Sequence, residues 1–175
     1  PKNLERARYW FTRAADSSNA AAQYQVAVMA SQGAGGPKDE ATAALYYKKS
    51  LQTWKKEADD GDAKAALWAA LVYERKLVPD SSPEKSVPYL LQAAESGNLT
   101  AQGLLAFKYR DGLGVPQDAA KAVEWFEKAA SRKDLGAVME LGIMFRDGKY
   151  LPPDREKAFH WFEKGAEWKD PYSMA

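Results

Sequence analysis

Cysteine is absent from the 175-residue chain, and histidine occurs once, as His160. Without cysteine there is no disulfide, no thiolate metal ligand and no cysteine nucleophile, and both reducing and oxidising compartments remain open. One histidine among scattered carboxylates does not assemble a metal site. A Ser-His-Asp constellation would need His160 together with a G-x-S-x-G elbow, and no such elbow occurs. An excess of one charge is also missing. The 25 Lys and Arg against 24 Asp and Glu leave a net charge of +1, with no basic run of the kind nucleic-acid or anionic-membrane binders use. The longest apolar run, Ala65 to Tyr73, is nine residues, about half of the roughly 20 that cross a bilayer. No signal-peptide pattern opens these residues, and the expected compartment is the cytoplasm or the periplasm. These absences point away from catalysis, metals, cofactors, nucleic acid and membrane insertion.

What is present is a period. Asn3, Asp39, Ser82, Asp118 and Asp154 each precede a helix-like run, at spacings of 36, 43, 36 and 36 residues. Asn19, Asp62, Asn98, Asp134 and Asp170 form a second series at 43, 36, 36 and 36. Each of these residues carries a short side-chain oxygen that can accept from a free N–H of the first helical turn. Each repeat therefore reads as helix, turn, helix, turn. The expected division is a half repeat over 1–18, repeats over 19–61, 62–97, 98–133 and 134–169, and the start of another over 170–175. Neither end carries the polar-faced terminal repeat that a solenoid needs, so the chain is expected to be one solenoid domain from a longer protein.

Counting from the Asn19 series as zero, offset 3 is small in every repeat (Ala22, Ala65, Ala101, Ala137, Ser173), and offset 8 is Ala27, Ala70, Ala106 and Gly142. Offset 7 is Val26, Ala69, Leu105 and Leu141, and offset 11 is Ala30, Tyr73, Tyr109 and Phe145. Those offsets share one helical face, where small residues admit a neighbouring helix and aromatics fill the space beside it. Gly33, Gly112 and Gly148 at offset 14 suit a left-handed helix C-cap, while Lys76 stands there in one repeat and predicts a different turn. Second helices carry Trp10, Tyr46, Tyr89, Trp125 and Trp161 at one repeat position. A residue type that recurs in this way reads as packing rather than as a stacking platform for single-stranded nucleic acid. Seven extra residues follow Asp39. Because seven residues make nearly two turns, Tyr47, Leu51, Trp54 and Ala58 stay on one face, which predicts a lengthened helix rather than a loop. Pro88 sits inside another second helix and predicts a kink there.

The run Ala101-x3-Leu105-Ala106-x2-Tyr109-x2-Gly112-x-Gly114-Val115-x2-Asp118-x2-Lys121-Ala122-x2-Trp125-x2-Lys128-Ala129-Ala130 resembles the Sel1-like repeat nearly throughout. Ala137 to Ala166 repeats it, with Phe145, Tyr150 and Leu151 as departures. The resemblance implies an all-α, right-handed α/α solenoid similar to tetratricopeptide arrays, used as an adaptor in assemblies and signalling. It permits two narrower roles: an inhibitor or immunity-type protein that occludes a bacterial toxin or enzyme, and a regulatory repeat region of a larger enzyme. A cysteine-rich secreted branch joins its helix pairs by disulfides, and this chain lacks the residues to do so.

Other motifs read as structure. Gly33 to Gly36 and Gly112-x-Gly114 follow helices rather than strands and lack the Lys-Ser or Lys-Thr pair of a phosphate cradle. Asp59 and Asp60 read as a solvated helix end. On the first helices, offsets 2, 5, 9 and 12 lie opposite the packing face and are expected to line a concave groove. The candidate partner-binding residues are Tyr24, Leu67, Phe107, Arg110, Met139, Ile143 and Arg146, with Trp68 at offset 6. Variable apolar and arginine side chains are what a protein or peptide partner would engage.

Overall fold

Asn19, Asp39, Asp62, Asn98, Asp118, Asp134 and Asp154 each accept, through a side-chain oxygen, from the backbone N–H three residues on, at 2.8 to 3.0 Å. These bonds satisfy N–H groups that a helix start otherwise leaves unpaired. The computed structural model describes residues 2–169, and among them runs α1 (Lys2–Asp16), α2 (Ala20–Gln32), α3 (Glu40–Asp59), α4 (Ala63–Glu74), α5 (Pro83–Glu95), α6 (Leu99–Asp111), α7 (Ala119–Ala130), α8 (Leu135–Asp147) and α9 (Arg155–Lys169), with no strand. The architecture is an all-α helical-repeat solenoid. The expected cap Asp170 and the small residue Ser173 lie outside the described residues. Asn3 departs from its series: α1 already includes it, so it is not the cap. Ser82 stands immediately before Pro83, the first residue of α5, and its carbonyl accepts from Lys85 N–H.

The even-numbered helices α2, α4, α6 and α8 are the first helices of the repeats. Their small-residue faces are buried as expected: Ala22, Ala65, Ala101 and Ala137 are covered, as are Val26, Ala69, Leu105 and Leu141. The turns out of α2, α6 and α8 are set by a recurring bond. The N–H groups of Asp39, Asp118 and Asp154 donate to the carbonyls of Ala30, Tyr109 and Phe145, the offset-11 residues, so the cap of each second helix is tied to the end of the first. Gly33, Gly112 and Gly148 take φ of 70°, 71° and 64°. Lys76 takes φ 52°, so the left-handed step survives without glycine. What differs in that turn is the helix end: α4 stops at Glu74, one offset earlier than its counterparts.

Contacts divide the chain between Tyr89 and Leu90 into two compact units. In the first, α3 is the long helix that the seven extra residues predicted, 20 residues against 12 in α7. Its stripe Tyr47, Leu51, Trp54 and Ala58 is buried. α5 continues through Pro88 from Pro83 to Glu95. In the second unit α7 packs against both α6 and α8 and buries Trp125, Phe126, Ala129 and Ala130. The packing role expected of the recurring aromatic holds at Trp125 but fails at Trp10, which is 63% exposed. The reason is geometric: α1 packs on α2 along Arg8, Thr12 and Ala15, and Trp10 is on the other side of the helix.

Candidate functional site

Within each unit the two first helices, α2 and α4 or α6 and α8, flank a trough whose walls include residues at offsets 5 and 6. In the first unit the trough is filled. Tyr24 of α2 lies 5.6 Å from Trp68 of α4, 5.6 Å from Trp54 and 5.5 Å from Tyr47 of α3, measured between ring centroids. Trp54 and Trp68 stack at 5.4 Å with planes 14° apart. Trp54 is buried, whereas Tyr24 and Trp68 are half-buried. The Tyr24 hydroxyl accepts from Arg75 Nη1 at 2.8 Å. Of the expected site residues in this unit, Tyr24 and Trp68 come together, yet much of their surface is spent on each other. Leu67 is half-buried on α4.

In the second unit the equivalent trough is open. Gly103 replaces Tyr24 at offset 5, and Glu140 replaces Trp68 at offset 6. A cavity of about 270 Å³ results, lined by Gly103, Leu104, Phe107, Phe126, Gly136 and Glu140 among others. Its apolar floor is Phe107 of α6 against Phe126 of α7, edge to face at 5.1 Å. A Cβ added to Gly103 would meet nothing within 4 Å. No neighbour therefore requires glycine there, although glycine inside a helix costs about 0.5–1 kcal/mol relative to alanine. Gly142 of α8 is the opposite case, because a methyl there would overlap the ring of Phe162.

One wall of the open trough is held by an ionic clamp. Arg110 of α6 donates from Nη1 to Glu140 Oε2 of α8 at 2.7 Å, and through Nε and Nη2 to both carboxylate oxygens of Asp111 at 2.9 and 2.8 Å. Its guanidinium lies 4.7 Å from the Phe107 ring centroid and 5.4 Å from that of Tyr150. Tyr150 in turn donates its hydroxyl to Asp111 Oδ1 at 3.1 Å. The hydrogen bonds from Arg110 hold the Asp111 carboxyl below its ordinary value of 3.8, against the effect of burial. The hydrogen bond to Asp111 likewise raises Arg110 above its usual range. Arg110 thus braces α6 to α8 rather than standing free in a groove. Ile143 is half-buried, Met139 is 44% exposed, and Arg146 is exposed and paired with its neighbour Asp147 at 2.6 Å.

Reasoning on the sequence missed Trp54, Tyr47, Glu140, Asp111 and Tyr150 as trough residues. It also missed the significance of Gly103, which is visible as the smallest residue in the offset-5 series Tyr24, Leu67, Gly103, Met139. His160 is exposed and lies edge-on to Trp161, with ring centroids 5.5 Å apart. Among the described residues no group of three or more His, Asp or Glu side chains could hold a metal ion, and no helix is long and apolar enough to cross a membrane.

With this geometry in place, the comparisons with known proteins are specific. The family model described as the Sel1 repeat matches residues 1–19, 20–52, 64–98, 100–134 and 136–167. A solved protective antigen of uropathogenic Escherichia coli that displays the SLR fold is 26% identical and superposes with a TM-score of 0.69 over 95% of this chain. This chain spans only 34% of that protein. A Sel1 repeat protein from Oxalobacter formigenes is 23% identical with a TM-score of 0.71, covering 99% of this chain and 69% of its own. Cysteine rich protein B of Helicobacter pylori is 21% identical with a TM-score of 0.52, over 78% of this chain and 98% of its own. No curated protein sequence matches the chain.

Proposed function

The chain belongs to the Sel1 repeat family, and from that premise we propose that it binds a partner protein by seating an apolar side chain in the α6–α8 trough. Sel1 repeats generally serve as non-catalytic modules of protein–protein interaction. The observation that supports the finer reading is Gly103. A mid-helix glycine with open space around its α-carbon keeps a trough of about 270 Å³ clear over an apolar floor, at a cost in helix stability. The floor of Phe107 and Phe126 suits an aliphatic or aromatic anchor. Met139, Ile143 and Arg146 of α8 do not line this cavity; exposed Met139 and Arg146 and half-buried Ile143 offer a separate surface on that helix. Buried aromatic pockets with a polar rim carry most of the energy in protein interfaces. In the first unit, Leu67 and the outer edges of Tyr24 and Trp68 offer a separate, shallower surface. With a net charge of +1, affinity should fall only modestly with salt, unlike that of a phosphate-backbone binder.

Gly103→Leu tests the reading because it fills the trough while improving helix propensity. The partner is recovered from the native host on the immobilised chain, and its affinity is then measured against the variant. Gly103→Leu should melt at or above the parent temperature yet bind about tenfold or more weakly, the effect of losing one hot-spot pocket. Parental affinity in Gly103→Leu would show that the trough is not the site.

A further inference from the structure

The extra turns of α3 do more than deliver Trp54 to the filled trough. One residue on, Lys55 reaches a second cavity of about 460 Å³ within the first unit, inside the roughly 300–1,000 Å³ range of ligand pockets. One wall is a single stripe of α3, Lys48, Leu51, Gln52 and Lys55, at the spacings that share a helical face. The facing wall is Tyr73 of α4 with Val78, Pro79 and Asp80 of the following turn. We propose that this cavity takes an acidic–apolar segment of a partner protein, a Glu or Asp carboxylate held by Lys55 beside an aliphatic side chain packed on Leu51, Val78 and Pro79.

Three observations carry the assignment. Charge comes first. Lys48 and Lys55 enter no ion pair within hydrogen-bonding range among the described residues, whereas the cavity's one carboxylate, Asp80, is already paired with Lys85. Asp59, one turn beyond Lys55, is exposed and gives it only a distant attraction. The second is donor capacity. An ammonium has three N–H donors, and the neighbouring Tyr89 hydroxyl can take at most one of them, which leaves donors for a ligand oxygen. Tyr73, then Tyr89, raise the lysine above its ordinary value of 10.5, and a lysine at or above that value is charged at physiological pH. The third is the shape of the apolar wall. Val78 is buried and Leu51 is 7% exposed, so both hold fixed positions, and Tyr73 on the facing wall stacks on Tyr89 at 6.2 Å.

The probe is the capped peptide acetyl-Gly-Leu-Glu-Leu-Gly-amide, with its Glu→Gln counterpart and isovalerate as comparators. Each is titrated to millimolar concentration against the whole chain, with backbone amide NMR shifts as readout. The Glu peptide should move the amides of Leu51, Tyr73 and Val78, and the Gln peptide should bind about tenfold more weakly, the scale of one charge-assisted hydrogen bond. Lys55→Met keeps the stem and should erase that difference at an unchanged melting temperature, and Lys55→Arg should restore it. Equal affinity for the two peptides, shifts mapping elsewhere, no binding by either, or an undiminished preference in Lys55→Met would overturn the assignment. Isovalerate binding as tightly as the Glu peptide would also overturn it, in favour of a small organic acid. Gly103→Leu should leave the titration unchanged, so this site and the α6–α8 trough stand or fall separately.

Discussion

The α2–α4 trough of the first unit and the α6–α8 trough of the second follow the same repeat plan and end in opposite states. In the first, Tyr24, Trp68 and Trp54 occupy the space with three aromatic rings. In the second, Gly103 and Glu140 stand at the Tyr24 and Trp68 positions, and the space is empty above Phe107 and Phe126. The way neighbouring first helices are joined changes accordingly. An aromatic cluster joins α2 to α4, and the Arg110–Glu140 ion pair joins α6 to α8. The same repeat plan thus leaves this space filled in one unit and open in the other, through the residues at offsets 5 and 6 and, in the first unit, through Trp54 of the lengthened α3. The largest test of this contrast is Trp54→Ala. Removing a buried tryptophan from a filled trough should cost about 3–5 kcal/mol. Repeats touch only their neighbours, so hydrogen exchange should quicken most in α2, α3 and α4. An unchanged unfolding midpoint would mean that the cluster is not core.

The two glycines of the second unit sharpen the comparison within one pair of helices. Gly142→Ala forces a methyl into the Phe162 ring and should destabilise by about 1–3 kcal/mol, the usual cost of overpacking. Gly103→Ala has open space around it and should instead stabilise by about 0.5–1 kcal/mol. Chemical denaturation of both variants checks the pair. A loss at Gly103 would mean that its glycine serves packing, and the argument for an open trough would collapse.

Acid should distinguish the two troughs by what holds them. Asp111 has its pKa depressed by Arg110, so the stability it contributes is complete above the ordinary value of 3.8 and is lost as pH falls through the lower folded value. Amide protection in α6 and α8 should therefore fall on acidification over that window, and Asp111→Asn should remove the pH-dependence there. The Tyr24–Trp54–Trp68 cluster contains no carboxylate, and tryptophan emission from it should hold across the same range. Equal acid sensitivity in Asp111→Asn and the parent would show that the clamp contributes nothing.

Much of the fold was legible in the chain because repeat architecture is written in local terms. A cap residue, a small residue three positions on and a glycine at offset 14 act within one helix or one turn, and they recur. The state of a trough is not local. Whether Gly103 opens a cavity depends on what stands across from it at position 140 of the next first helix, and whether Tyr24 is free depends on the reach of α3. Arg110 has the composition of a binding residue, but its carboxylate partner Glu140 lies 30 residues away. Trp10 and Trp125 share a repeat position and differ in burial because α7 packs against two helices, whereas α1 is packed along a narrow stripe. The cavity beside Lys55 needs the 77–80 turn folded back over α3, and no spacing along the chain announces that.

The smallest expected effect concerns the turns that leave α4 and α6, one in each unit. Lys76 at φ 52° and Gly112 at φ 71° occupy the same offset and the same left-handed region. A side chain there costs about 1–2 kcal/mol through the clash of Cβ with the following carbonyl. Glycine avoids that clash but gives back about 0.5–1 kcal/mol through its greater freedom in the unfolded chain. Lys76→Gly should therefore stabilise by about 0.5–1 kcal/mol, the difference of those two terms. The reverse exchange is equally informative, because a Cβ on Gly112 would meet its nearest atom, Gln117 Cβ, at an ordinary 3.4 Å. Gly112→Lys should lose about the same amount through backbone strain alone. Matched melts of both variants decide between strain and compensation. If Lys76→Gly gains nothing while Gly112→Lys is costly, the early end of α4 at Glu74 has already relaxed the turn, and the two units differ in backbone as well as in side chains.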